Sequence, residues 1–167
     1  MENSLAIANY FVKKSLDEGI ELTPMKLLKL VYIAHGWYLG INDEPLVNEG
    51  VQAWKYGPVI PTVYQEFRGY GNSQIGKLAY DFDNGMQVVT LMPNKDKTDF
   101  LDKVWDVYKG YNGLQLSTLT HQIGTPWDIV WNNENGKLKS SAIIRNNLIE
   151  EHYKQKLAQS PNLERLN

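Results

Sequence analysis

The chain has 167 residues, of which 43% are hydrophobic and 22% charged, proportions typical of one folded domain rather than a disordered chain. It contains no cysteine, which excludes a disulfide framework and thiolate chemistry and fits an intracellular protein. A net charge of −2 and an isoelectric point near 5.9 disfavour a nucleic-acid binder, because phosphate contacts require a basic surface.

The N-terminal segment does not have the pattern of a signal peptide. It has no basic start before its apolar run and no small-residue cleavage site. No apolar run approaches the ~20 residues that a membrane span needs. We therefore expect a cytoplasmic protein without a membrane partner.

The first predicted element is an amphipathic helix. Ser4 is a suitable N-cap, and Leu5, Ala8 and Val12 form one apolar stripe at helical spacing. Gly19 suits the left-handed residue that ends many helices.

A second helix is predicted to be central and buried. Thr23 and Pro24 combine an N-cap with proline at the first helical position. The helix that follows, from Met25 to about Ile41, is apolar on most faces. Gly36 and Gly40 share one face of it, which predicts the close approach of another element.

Two short hairpins are predicted, with a helix between them. The first pairs residues 45–47 with 51–54 across a turn at 48–50, and residues 55–58 end it. Pro61 then opens a helix that Gly71 closes. The second hairpin pairs residues 77–82 with 86–91, because Asn84-Gly85 is typical of a two-residue hairpin turn.

The C-terminal half is predicted to be helical. Residues 94–97 form a loop, Thr98 caps a helix, and a short helix with Leu116, Leu119 and Ile123 follows. Thr125 and Asp128 enclose Pro126-Trp127 in the pattern of a capping box. Ser140 or Ser141 begins the last helix.

Together these elements predict a predominantly α-helical α+β protein with about six helices and two short β-hairpins. We expect a single domain over residues 1–160 and a frayed C-terminal tail at 161–167.

The residues that could carry chemistry are few and scattered. His35 lies in the buried helix and is interpreted as a satisfied core residue, and His152 as solvent-facing. His121 follows Ser117 by one helical turn, but a serine on a helix lacks the strained geometry of a nucleophile. Three dispersed histidines without cysteine do not form a metal site. We expect neither an enzyme nor a bound metal or cofactor.

The lysines and tryptophans leave two alternatives open. Basic side chains that could form a nucleic-acid surface are Lys13, Lys14, Lys26, Lys29 and Lys55. A solvated helix face is the simpler interpretation of Lys26 and Lys29. Trp37 and Trp105 are expected in the core. Trp54 and Trp127 stand at the ends of elements and could equally be surface residues that bind a partner.

Three stretches, taken together, resemble a known family. They are MKLLKLVYIAHGWYL at 25–39, GVQAWKYGPVIPTVY at 50–64 and LTHQIGTPW at 119–127. In this order they are similar to the Panacea domain, the SocA-like antitoxin family also labelled phage-associated GepA-like. The AWKYGPV and TH…PW segments are the specific ones, and the resemblance covers nearly the whole chain.

The resemblance implies a bacterial or phage antitoxin that binds and neutralises a cognate protein toxin, with no shared catalytic activity. Direct inhibition and delivery of the toxin to a host protease both remain open, and no oligomeric state is implied. The alternative function is a winged-helix-like regulator that binds operator DNA, since a hairpin beside helices can mimic that arrangement.

We expect the partner surface at the corner formed by the first hairpin, its Gly-Pro turn and the next helix. Prolines stiffen this corner and so reduce the entropy lost on binding. A role in locking the fold is an equal alternative. The predicted partner-binding residues are Trp54, Lys55, Tyr56, Gly57, Pro58 and Tyr64, with His121, Pro126 and Trp127 as a second patch.

Overall fold

The structure, a computed structural model, describes residues 1–83, 86–88 and 92–159, with the backbone alone at 81–83 and 86–88. The α-helices in these ranges are α1 Ser4–Glu18, α2 Pro24–Asn42, α3 Pro61–Phe67, α4 Lys95–Tyr108, α5 Gly113–Thr120, α6 Pro126–Asp128 and α7 Asn146–Gln159. The strands are β1 Val51–Trp54, β2 Gly57–Val59, β3 Asp81–Asp83, β4 Met86–Val88 and β5 Ala142–Ile144. The predicted class, α+β and predominantly helical, is confirmed.

Helix α2 is the central element, as predicted. The Thr23 hydroxyl accepts a hydrogen bond from the Lys26 N–H at 3.4 Å, and Pro24 occupies the first turn. Because the sequence is apolar on most faces, the helix buries nearly every residue up to Gly40. Helices α1, α3, α4, α5 and α7 and strand β2 pack around it.

Gly36 and Gly40 admit helix α7, which confirms the predicted close approach. The aromatic ring of Tyr153 lies directly over Gly36, and the Tyr153 backbone lies against Gly40. Tyr153 also meets Trp37 edge to face, with ring centroids 4.9 Å apart. Trp37 and Trp105 are both fully buried, as expected.

Helix α1 begins one residue earlier than predicted. Its N-cap is Asn3, whose side chain accepts from the Leu5 N–H. The Ser4 hydroxyl instead donates to the Glu49 carboxylate at 2.6 Å. Gly19 adopts the left-handed conformation (φ 65°) and ends the helix as predicted.

The strand pairing predicted for the first hairpin is wrong. Strand β1 pairs antiparallel with β2 across a two-residue turn, with Trp54 opposite Gly57. The other edge of β1 pairs with β5, so the sheet order is β2-β1-β5. Residues 45–47 instead join the N-terminus, where the Glu2 N–H donates to the Leu46 carbonyl at 2.7 Å. The Gly-Pro segment is therefore the second strand and not the end of the hairpin.

The predicted start of the last helix at Ser140 or Ser141 is also wrong. Ala142 and Ile144 are buried while Ile143 between them is half-exposed, the alternation of a strand. Helix α7 begins only at Asn146. The strand prevails because β1 offers it a free edge, which local sequence cannot reveal.

Boundaries in the middle of the chain differ by about a helical turn. Helix α4 begins after Asn94, so residues 94–97 are not a loop, and Thr98 donates its hydroxyl to the Lys95 carbonyl from inside the helix. Helix α5 begins after Asn112, which forms a capping box with Gln115. It ends at Thr120, so Ile123 lies outside it and is almost fully exposed.

The second hairpin is confirmed where it is described. Strands β3 and β4 pair antiparallel, with Asp83 opposite Met86. Strand β3 begins at Asp81 rather than at residue 77, and residues 89–91 of the predicted second strand lie outside the described residues. The Asn84-Gly85 turn and the tail at 161–167 lie outside the described residues. The single domain over residues 1–160 stays a prediction. Within the described residues, no helix has the length and hydropathy required to cross a bilayer.

The contact between α2 and α7 yields the first testable prediction. Gly36→Ala would place a methyl group inside the Tyr153 ring, so we expect the free energy of unfolding to fall by at least about 2 kcal/mol. Urea denaturation followed by circular dichroism measures this change. Gly110→Ala is the control, because nothing lies within 4 Å of the added carbon there. Equal stability of the two variants would contradict the packing.

Candidate functional site: a groove at the hairpin corner

The predicted corner borders an open groove of about 500 Å³. We call it the hairpin-corner groove. Its lining comes from the start of α2, the β1–β2 hairpin, helix α3 and the residues that directly follow α3. The residues used below are Met25, Leu28, Lys29, Trp54, Lys55, Tyr56, Tyr64 and Arg68.

Two aromatic side chains fix one wall of the groove. Trp54, at the end of β1, meets Tyr64 of α3 edge to face at a centroid distance of 4.9 Å. The Trp54 indole N–H donates to the Gln52 side chain at 2.9 Å, which sets the orientation of the ring. Both aromatic side chains are half-buried. They therefore stabilise the corner and also present apolar surface to the groove.

The turn between β1 and β2 carries the most exposed part of the groove. Tyr56 is 64% exposed, and the Lys55 ammonium lies 5.4 Å from the centre of its ring. Gly57 closes the turn with φ 106°, a conformation that side chains rarely adopt. The turn thus holds a large aromatic residue in solvent on a backbone of restricted conformation.

The second predicted patch is joined to the first. The Trp127 indole N–H donates to the Trp54 carbonyl at 2.7 Å, across 73 residues of sequence. The centroids of the His121 and Trp127 rings lie 4.0 Å apart. Trp127 itself is buried, so it supports the corner from behind.

The short helix α6 holds Trp127 in place, and it forms one of the two hydrogen bonds of the predicted capping box. The Thr125 hydroxyl accepts from the Asp128 N–H, and the Asp128 carboxylate accepts from the Gly124 N–H at 2.9 Å. The hydrogen bond from Gly124 lowers the pKa of Asp128. Pro126 is buried in the first turn of this helix. The Trp127 ring also stacks on Trp131.

Gly57 is the point at which the two patches and α2 meet. A Cβ atom at this position would lie 2.5 Å from the Lys29 ammonium nitrogen and 2.8 Å from the His121 ring. The Lys29 ammonium donates to the Pro58 carbonyl at 3.1 Å. Both the backbone conformation and the crowding therefore require glycine here.

Lys29 was interpreted as a solvated residue, and this is wrong. Its side chain is 1% exposed, and the Pro58 carbonyl is the partner that the structure shows for it. Burial lowers its pKa from 10.5 to about 7, because the ammonium loses hydration without gaining a carboxylate. Lys26 is buried too, and its ammonium donates to the carbonyls of Glu21 and Lys109.

The nucleic-acid alternative loses most of its predicted surface. Of the five lysines that could have formed it, Lys26 and Lys29 are buried. Lys13 and Lys14 form ion pairs, with Asp17 and with Glu18 and Asp102 respectively. Lys55 alone among these five is exposed and outside the ion pairs of the described residues.

The histidines do not form the arrangement of a general base. His35 is fully buried between Asn146 and the Val47 N–H, as expected, and burial lowers its pKa to about 4. His152 is half-buried rather than solvent-facing. Burial and the charge of Lys156 lower its pKa to about 4.

The pair Ser117 and His121 is close but wrongly arranged for nucleophilic catalysis. The His121 Nδ1 atom lies 2.6 Å from the Ser117 carbonyl oxygen, which can only accept, so this nitrogen carries the hydrogen. The Ser117 hydroxyl is 3.4 Å from the same nitrogen, which cannot take up its proton. In the described part of the chain, no group of three or more His, Asp or Glu side chains could hold a metal ion.

Among the lining residues that sequence reasoning did not place at this site are Met25, Leu28, Lys29 and Arg68. The first three lie on α2, whose apolar pattern indicates burial alone. A lysine between Leu28 and Leu30 in that apolar run was the available signal. Local sequence does not show that the first turns of α2 border the hairpin.

Comparisons with known proteins identify related sequences. The family model described as Antitoxin SocA-like, Panacea domain, matches residues 27–128, from the first turn of α2 to the end of α6. Antitoxin SocA of Caulobacter vibrioides (strain NA1000 / CB15N) is 31% identical over 152 residues, spanning 89% of this chain and 81% of that protein. No solved structure matches the chain.

The burial of Lys29 yields a second prediction. Because the unfolded chain binds a proton at this lysine up to about pH 10.5 and the folded chain only to about pH 7, Lys29 destabilises the fold most below pH 7. Lys29→Met removes that charge and should raise the free energy of unfolding by about 2 kcal/mol or more at pH 6.

The gain should shrink as the pH rises from 7 toward 10, since the wild-type lysine then folds uncharged. Urea denaturation at several pH values measures the difference between the two proteins. Lys13→Met is the matched control at an exposed position and should show no such trend. A Lys29→Met variant less stable than wild type at pH 6 would refute the desolvation cost.

Proposed function

The chain belongs to the Panacea-domain family of SocA-like antitoxins, and from this we propose that it binds a cognate protein toxin and neutralises it by direct contact. The observation that carries the proposal is the hairpin-corner groove. It is an exposed apolar surface whose walls are fixed by Trp54, Tyr64 and the tight turn at Gly57.

The groove has the properties of a protein-binding hot spot. Tyrosine, tryptophan and arginine contribute most of the binding energy in many interfaces, and Tyr56, Trp54 and Arg68 border this one. The side chains of the wall are already held by one another, so little conformational entropy is lost when a partner binds.

A stable complex needs a larger contact than the groove provides. Such interfaces bury on the order of 1,600 Å² in total. Exposed apolar side chains near α5 can extend the surface, since Ile123 is 97% and Leu114 is 71% exposed. The Ser117 hydroxyl donates to the Tyr56 carbonyl at 3.5 Å, which places α5 beside the turn. We infer that the toxin covers both the groove and the exposed apolar side chains of α5 and of the loop that follows it.

We also propose that the protein acts by binding and not by catalysis. The Ser117–His121 geometry supports this, because the histidine nitrogen facing the serine already carries a hydrogen. The neutralisation we propose is stoichiometric and needs no protease.

The experiment is co-expression with the product of the gene adjacent to its own. We expect that product to arrest growth alone, and we expect growth to resume and the two proteins to elute together when both are made. Purified toxin should then lose activity at a one-to-one ratio without added protease. Rescue in cells without inhibition of the purified toxin would instead favour delivery to a protease. A harmless neighbour, or no complex, would refute the proposal.

Tyr56 provides the third prediction. Because its side chain is 64% exposed, Tyr56→Ala should leave the free energy of unfolding within about 0.5 kcal/mol of wild type. Binding of the co-purifying toxin should weaken at least about tenfold, as for a truncated hot-spot residue. Calorimetric titration and urea denaturation measure the two effects.

Leu138→Ala is the control for this variant, since Leu138 is 81% exposed and does not line the groove. It should change neither quantity. If Tyr56→Ala loses stability and binding together, the turn serves to lock the fold.

A further inference from the structure

The hairpin-corner groove is cationic on a protein that carries net negative charge. Lys29, Lys55 and Arg68 line it, and none of the described residues in its lining is acidic. The chain as a whole has a net charge of −2. The positive character is therefore local to this groove and is not a property of the entire surface.

The three cations also lack carboxylate partners. Elsewhere in the described structure, cationic side chains such as Lys14 and Arg145 form ion pairs with Asp102 and Glu134. Of Lys29, Lys55 and Arg68, none takes part in an ion pair among the described residues. The charges of Lys55 and Arg68, which are exposed, are thus available to a partner.

The remaining lining is apolar. Met25 and Leu28 of α2 face the groove together with the rings of Trp54 and Tyr64. Lys55 and Arg68 are exposed, whereas Lys29 is buried beneath the hairpin. The groove therefore combines an apolar lining, two exposed cations and one desolvated lysine below.

We propose that the groove binds an acidic segment of the partner protein, in which an apolar or aromatic side chain is flanked by Asp or Glu residues. The apolar side chain fills the groove against Trp54 and Leu28, and the carboxylates face Lys55 and Arg68. This inference rests on the proposed function and specifies the chemistry that the toxin presents to the site.

Lys29 adds to the anion preference of Lys55 and Arg68 when a bound carboxylate favours its charged form. A charge in a desolvated position acts through a lower effective dielectric than one in water, so its field on a bound carboxylate is stronger. A lysine buried without a carboxylate lowers stability, and such a cost is typical of residues retained for binding. Nucleic acid fits less well, because the groove supplies two exposed cations where a phosphate backbone needs a longer basic track.

The test uses the full chain and a phage-displayed library of random dodecapeptides. Selection includes a counter-selection step against the double variant Trp54→Ala/Tyr64→Ala, so that groove-dependent peptides remain. We expect the enriched peptides to be net negative with an apolar residue near the centre. Enrichment of neutral or basic peptides, or no groove-dependent enrichment, would overturn the proposal. Oligo(dT) that displaces the selected peptides and binds more tightly would do so as well.

Charge reversal then separates this inference from the proposed function. Lys55→Glu/Arg68→Glu should weaken both the selected acidic peptide and the co-purifying toxin at least about tenfold. Lys137→Glu/Lys139→Glu changes the net charge equally at exposed positions outside the groove and should alter affinity less than about twofold. If the toxin binds wild type and the Lys55/Arg68 variant equally, the antitoxin function stands and the acidic-segment proposal fails. If no toxin binds wild type, the proposed function fails, and the peptide selection still decides what the groove accepts.

Discussion

The structure depends on one constraint, which is that helix α2 must be covered on every side. A helix that is apolar on most faces cannot remain in water, so helices α1, α3, α4, α5 and α7 and strand β2 surround it. Gly36 and Gly40 let the Tyr153 side of α7 approach to backbone contact. The hairpin and α3, which lie beside the first turns of α2, line the hairpin-corner groove.

In the groove, contacts that lock the fold and exposed apolar surface lie on the same side chains. Trp54 has its backbone carbonyl tied to Trp127 and its ring held by Tyr64, so the same residue fixes the corner and forms a wall. Roles in folding and in recognition were alternatives at the level of sequence. In the structure the corner contains both buried and exposed members, with Trp127 buried behind it and Tyr56 exposed in front of it.

Lys29 links stability to the proposed function. Its ammonium donates to the Pro58 carbonyl and so connects α2 to the hairpin, yet its burial favours the uncharged form. A methionine would satisfy the packing of α2 at lower electrostatic cost. The lysine becomes understandable if a partner carboxylate approaches it, which is the chemistry proposed for the acidic segment.

The sequence alone determined the parts that rest on local interactions. The start of α2 follows from Thr23-Pro24, the end of α1 from Gly19, and the α6 turn from Thr125 and Asp128, because each cap is a contact within a few residues. The burial of α2 follows from its composition, and the aromatic corner was recognisable from the segment 53–64.

Only the tertiary structure decided the remainder. The partners of β1 were misassigned because strand pairing depends on long-range contacts, and β5 lies about ninety residues away along the chain. Strand β5 was included in the predicted last helix for the same reason, because its partner β1 is distant in the sequence. Lys29 was assigned to solvent because periodicity does not show which elements cover a helix, and here the hairpin covers it. The contact of Trp127 with Trp54 escaped sequence reasoning for the same reason, since the two residues lie 73 positions apart along the chain.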